Sequence, residues 1–248
     1  MIRGVILDYG STLITFDGDV AEVRGRAHRA LLATLRAEGL KPGEKRFLAR
    51  LASKFEAYQR KRAADHRETT AFSVLAAALE EEKIPPQPVT VMRRALRSMY
   101  EVFEAHWKLF PESIPALERI RAAGLRMAML SNASDEENVR QMLANHKLES
   151  YFDPVVISAA IGIRKPDRGA FQPILDAWGV PAAEIVMVGD QLGADILGGK
   201  QAGMRTIWLT TEENAPANQK LRGKLSADAQ VRTVGEAAAL IVHWKDQP

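Results

Sequence analysis

Cysteine is absent from the 248 residues. Its absence excludes disulfides, thiolate metal sites and cysteine nucleophiles, and it accords with a reducing compartment. Long hydrophobic runs are missing too, since stretches such as PVVISAAIGI at 154–163 are too short to cross a bilayer. The opening MIRGVILDYG lacks a basic leader with an apolar core and a small-residue cleavage site. A cytoplasmic protein is therefore expected, with no membrane partner. Charge of one sign is scarce in net terms: 34 Lys and Arg against 31 Asp and Glu leave +3, and no concentrated basic stripe accompanies it, so nucleic acid is not an expected partner either. The basic residues do gather between 24 and 97, including Arg60-Lys61-Arg62 and Arg93-Arg94, where they either solvate helix faces or draw anionic substrates toward a cleft. Repeats and low-complexity segments are absent.

With 46% hydrophobic residues, the chain can bury one substantial core and a smaller satellite. GVILD at 4–8 reads as a buried strand ending in an acid and a turn. Between Val20 and Trp107 the period becomes helical, and four amphipathic helices fit. Val23, Ala27, Leu31 and Leu35 share one face; Phe47, Leu51, Phe55 and Tyr58 the next; Phe72, Leu75, Ala76 and Leu79 the third. After the Pro85-Pro86 break come Val89, Met92, Leu96, Met99 and Phe103. Beyond Pro111, strands near 125–131, 155–158, 185–190 and 206–210 alternate with helices near 113–123, 135–145, 168–178 and 192–202, before a weak strand and a helix near 229–242. Such alternation predicts a doubly wound, Rossmann-like parallel α/β sheet covered on both faces. The expected organisation is an α/β core of residues 1–16 and 108–248 with an inserted all-helical domain at 17–107.

In doubly wound sheets ligands bind beyond the carboxyl ends of the strands. Here Asp8 ends the first strand, Ser131-Asn132 the second and Asp190 a later one, with Asp195 one helical turn on. Each alone would serve as a helix cap; at matching strand ends they suggest a shared site. Carboxylates with nearby carbonyls suit Mg²⁺, and a carboxylate such as Asp8 can attack phosphorus covalently. Phosphoryl transfer also calls for a cation on the nonbridging oxygens, for which Lys165 in the run RKPD is the candidate.

At these residues the chain resembles the haloacid dehalogenase superfamily. VILDYGSTL matches its first motif, LSNAS the second, IRKPD the third and VGDQLGAD the fourth, in order and at the expected strand ends. The resemblance implies Asp8 as nucleophile and metal ligand, the Gly10 backbone carbonyl with Asp190 and Asp195 as further ligands of Mg²⁺, and Ser131 and the Asn132 amide holding phosphate beside Lys165. It further implies a hydrolase for a small phosphorylated metabolite, and a type I helical cap over the site. One departure stands out. The family's phosphatases carry a second Asp, the general acid, where this chain has Gly10, and Ser11 replaces the usual Gly. Such acid–base help is worth roughly 100- to 10,000-fold.

Three family alternatives stay open on sequence. Haloacid dehalogenases carry Tyr at the Gly10 position and use no metal, which Asp190 and Asp195 oppose. Phosphonoacetaldehyde hydrolases carry a small residue there and use a cap lysine, for which Lys45, Lys54 and Lys61 are available. A binding or regulatory relative would keep the site without efficient turnover.

Other features read as structural. GADILGGK at 193–200 mimics a phosphate loop, but its spacing is one residue too long and Gln201 replaces Ser or Thr, so Gly198 and Gly199 are expected to allow close helix packing. His28, His66, His106, His146 and His243 lack ligand spacing and are expected at the surface or in caps. Asp17-Gly18-Asp19 reads as one hinge into the helical segment, with His106 and Trp107 near the other. Oligomeric state is not legible.

Overall fold

The computed structural model describes residues 1–211 and 218–247. Strands β1 (Gly4–Leu7), β4 (Arg126–Ser131), β5 (Val155–Ile157), β6 (Ile185–Gly189), β7 (Arg205–Leu209) and β8 (Ala229–Val231) form a parallel sheet in the order β5-β4-β1-β6-β7-β8. The chain winds outward from β1 through β4 to β5, then reverses and winds outward through β6, β7 and β8. This is the doubly wound sheet the alternation predicts. Because side chains alternate along a strand, Val5 and Leu7 face one layer and Ile6 the other. The first layer holds helices α5 (Ser113–Ala122), α6 (Glu136–Asn145) and α10 (Val234–Lys245), through residues such as Leu117, Leu143 and Ile241. The second holds α8 (Gln172–Trp178), through Ile174 and Trp178, and α9 (Leu197–Gln201). A Cβ on Gly199 would lie 2.9 Å from both Met187 and Thr206, so α9 approaches the sheet where only glycine fits. A short helix, α7 (Ser158–Ile161), follows β5.

Four helices lie between β1 and β4: α1 (Val20–Ala37), α2 (Glu44–Asp65), α3 (Ala71–Glu81) and α4 (Val89–Glu104). They enclose their own hydrophobic cluster, including Leu31, Leu35, Phe47, Leu51, Leu75 and Leu96. Two expected face residues are exposed instead. Ala76 is exposed while Ala71 and Ala78 join the cluster, and Val89 is 62% exposed at the first turn of α4. Two strands escape the sequence pattern, β2 (Ile14–Phe16) and β3 (Trp107–Leu109), which pair antiparallel where the helical segment leaves and rejoins the sheet. Three residues are too few to display alternation. Helical stretches also break unexpectedly: residues 168–170 form a separate 3-10 turn before α8, and Leu192–Ile196 make a π turn before α9. Among the described residues, no helix is long and apolar enough to cross a membrane.

His28 corrects the expectation of surface histidines. It flanks the buried stripe of α1, is only 6% exposed and stacks on Phe55 at 5.6 Å. Burial, reinforced by the positive charge of Arg24, pushes its pKa down to about 4. The unfolded chain takes up this proton at the ordinary value near 6.5, so between pH 6.5 and 4 it binds more protons than the folded chain. Stability should therefore fall as pH is lowered through that window, by up to about 3 kcal/mol. Melting temperatures across pH 4–7 should decline less steeply in His28→Gln; equal slopes would contradict this role.

Candidate active site

The register of the sheet assembles the polar residues. Leu7 pairs with Met129 on one side and Val188 on the other, so Asp8, Ser131 and Asp190 emerge along one edge of the sheet. The Asp8 N–H donates to the Val188 carbonyl at 2.9 Å, fixing the exit of β1. The following turn closes when Leu13 N–H donates to the Tyr9 carbonyl at 2.9 Å, with Ser11 in the left-handed region at φ 57°. Gly10 itself is not left-handed, and a Cβ there would meet only the Trp107 ring at 3.9 Å. The position of the missing acid is thus open space beside an indole.

Lys165 is nearly inaccessible. Its Nζ donates to the Leu130 carbonyl at 2.6 Å and to Asp8 Oδ1 at 2.7 Å, and forms an ion pair with Asp195 Oδ1 at 2.7 Å. Its backbone is braced by Asn132, whose side chain accepts from Lys165 N–H at 2.9 Å and donates to the Lys165 carbonyl at 3.0 Å. The Asn132 side chain is therefore committed to this loop. Asp195 is held by the Gln191 N–H at 2.9 Å. Asp8, Gly10, Ser131, Asn132, Lys165 and Asp195 line one cleft of about 360 Å³, together with Arg62 and Trp107 from the helical segment and β3. Asp190 lies behind it, fully buried. A hollow of similar size between α4 and α6, near Arg93 and Arg140, contains none of these six residues.

Three further residues belong to the arrangement. The buried Thr12 hydroxyl lies 3.4 Å from both Asp8 Oδ2 and Asp190 Oδ1. Trp208 Nε1 and Asn218 Nδ2 each donate to the Asp190 carbonyl at 2.8 Å. Thr12 had a signal, a hydroxyl four residues beyond Asp8 in the same turn; Trp208 and Asn218 had none, because nothing in a single sequence links them to Asp190.

The charges do not balance internally. With all three buried carboxylates ionised against one ammonium, the excess is two negative charges. Burial, and then repulsion from Asp8 and Asp195, raises the Asp190 pKa well above the usual carboxylate range. Burial raises Asp195 to about 6, where Asp8 adds to the rise and Lys165 opposes it. Burial acts to lower the pKa of Lys165, but attraction to Asp195 and Asp8 outweighs it and the net shift is upward. Asp190 Oδ2 is buried with no hydrogen-bond partner among the described residues. Oxygens of Asp8, Asp190 and Asp195 come within 4.8 Å of one another. An all-oxygen donor set with two uncompensated negative charges fits a hard divalent cation.

The sequence model of the haloacid dehalogenase-like hydrolases matches residues 2–203. A phosphoserine phosphatase from Thermus thermophilus is 34% identical over 136 residues, which are 55% of this chain and 53% of that protein. The chain spans about half the length of the curated relatives it matches. A HAD phosphatase from Thermococcus onnurineus has a TM-score of 0.65 at 21% identity, over 97% of this chain and 98% of that one, a likeness of fold. A 2-haloacid dehalogenase from Pseudomonas syringae gives 0.66 at 27% identity, over 98% and 100%.

Proposed function

Because the chain belongs to the haloacid dehalogenase-like hydrolases, we propose that it is a magnesium-dependent phosphatase acting through Asp8 on a small phosphorylated molecule. The observation that carries this reading is the buried cluster of Asp8, Asp190 and Asp195 around Lys165. Asp8, Asp190, Asp195 and the Gly10 carbonyl would hold Mg²⁺, which when bound supplies neutralising charge. An Asp8 oxygen attacks phosphorus, the bond to the leaving oxygen breaks, and that oxygen departs with the electron pair. Lys165 and Ser131 hold the nonbridging oxygens, with the Asn132 backbone amide beside them. Thr12 orients Asp8. Water then attacks phosphorus of the aspartyl phosphate, releasing inorganic phosphate and restoring Asp8. Residues 17–107 act as the cap that screens the cleft from solvent.

Two rival readings find less support. A haloacid dehalogenase must accept a substrate carboxylate, which the excess negative charge repels. The Schiff-base reading lacks its lysine: Lys45 is exposed, Lys54 pairs with Glu81, Lys61 pairs with Asp65 at 3.7 Å, and none of the three lines the Asp8 cleft. A protein that only binds phosphate esters is separated from an enzyme by turnover of an aryl phosphate with Mg²⁺.

The metal site has its own test. A cation that binds only the folded chain stabilises it by about 2.7 kcal/mol at a hundredfold excess over Kd. Mg²⁺ should therefore raise the melting temperature, and Asp190→Asn should abolish the rise. An unchanged melting curve across millimolar Mg²⁺, with turnover indifferent to chelator, would contradict the site.

A further inference from the structure

A second cavity, of about 430 Å³, opens between α1, α2 and α4. Its walls include Phe55, Tyr58, Met99 and Phe103, and it shares Trp107 and Asn138 with the Asp8 cleft. The two therefore adjoin at Trp107 and Asn138, which places this cavity next to a phosphate ester seated at Asp8. Aromatic rings stand at the junction and along one wall. Trp107 packs edge-on against Phe16 at 5.2 Å, and Phe55 is backed by the stacked ring of His28. Burial keeps His28 uncharged at neutral pH, so it adds a neutral ring to that wall. The charged groups, Arg24 and Glu56, are exposed at the rim.

An independent constraint comes from Gly10. Without a carboxylic acid there, the departing oxygen leaves as an anion, which is tolerable only when its conjugate acid is already fairly strong. A phenol meets this condition and a sugar hydroxyl does not. We propose that the substrate is the phosphate monoester of a phenol-type hydroxyl, its ring held among Phe55, Phe103 and Trp107 in the cavity between α1, α2 and α4. The proposal rests on the phosphatase reading above. In the reaction the phosphorus–aryloxygen bond breaks, the aryloxide carries off the electron pair, and it takes its proton from solvent.

Acetyl phosphate is the natural control, since its leaving group is acidic but too small to need the cavity. In the full chain with Mg²⁺, 1-naphthyl phosphate should be turned over with a much lower KM than acetyl phosphate, and both far faster than glucose 6-phosphate. Ala52 lines the cavity from α2 outside the catalytic cluster. Ala52→Trp, which fills the cavity, should lower kcat/KM for 1-naphthyl phosphate roughly 10- to 200-fold through KM, leaving acetyl phosphate within about twofold. Phe103→Ala, which removes a wall, should likewise weaken 1-naphthyl phosphate through KM and spare acetyl phosphate. Equal losses on both substrates, no loss on either, or glucose 6-phosphate matching 1-naphthyl phosphate would overturn the proposal. Absence of turnover on every ester overturns the phosphatase reading instead. The cavity is then judged by calorimetry, in which 1-naphthylmethylphosphonate should bind the parent protein tightly and methylphosphonate weakly; equal affinities would overturn it.

Discussion

Asp8→Asn should lower aryl phosphate turnover by roughly 10,000-fold or more, because an amide oxygen is a poor nucleophile and cannot be released as a carboxylate when the phosphoryl group leaves. The same change should leave the fold intact and, without metal, should hold or raise the melting temperature. Lys165 keeps its ion pair with Asp195 and its bond to the Leu130 carbonyl, both inside 2.8 Å. Asp190, which Asp8 repels, loses a like charge. Removing one of three carboxylates around a single ammonium thus relieves repulsion that offsets the attraction lost. Steady-state kinetics and thermal melts in chelator check both halves. Parent-level turnover would exclude the nucleophile assignment, and a large drop in melting temperature would mean that Asp8 is chiefly a structural partner of Lys165.

Gly10→Asp should accelerate alkyl phosphates by roughly 10- to 1,000-fold and aryl phosphates much less, since a general acid helps most when the departing oxygen is most basic. The structure favours the experiment. Gly10 is not in the left-handed region, and its Cβ position has only Trp107 nearby, at 3.9 Å. A side chain there is accommodated without backbone strain, so Gly10→Ala should fold normally and keep the parent's dependence on leaving-group acidity. That dependence, measured over a series of phosphate esters, should be steep in the parent and in Gly10→Ala and flatter in Gly10→Asp. A flat dependence in the parent would mean that another group supplies the proton.

Much of the site was legible because apolar, β-branched strands ending in acids are rare enough to stand out. Asp8, Ser131 and Asp190 follow from that pattern, and parallel register brings them to one edge. The supports around them were not legible. Asn218 reaches Asp190 from 28 residues away through a single hydrogen bond to a carbonyl, and a polar residue in a connecting segment carries no period. In the helical segment the difficulty is different. Leu51 and Phe55 share one apolar face, yet Leu51 is buried in the cluster while Phe55 also lines the cavity. Periodicity shows that a face is apolar but not which part of it borders empty space. His28 departs from the surface expectation for a related reason: it sits one residue past Ala27, at the margin of the buried stripe, where the angle along the helix does not decide between inside and outside. The paired strands at Ile14 and Trp107 are too short to register at all.

In the proposed mechanism Asp8 carries the phosphoryl group between the two half-reactions. The most direct measurement is an acid quench of the enzyme during turnover of an aryl phosphate labelled at phosphorus, followed by peptide mapping. Label bound covalently to the peptide containing Asp8, formed with Mg²⁺ and absent from Asp8→Asn, is the predicted result. Turnover in the same sample with no label on the protein, or with label on another residue, would contradict it.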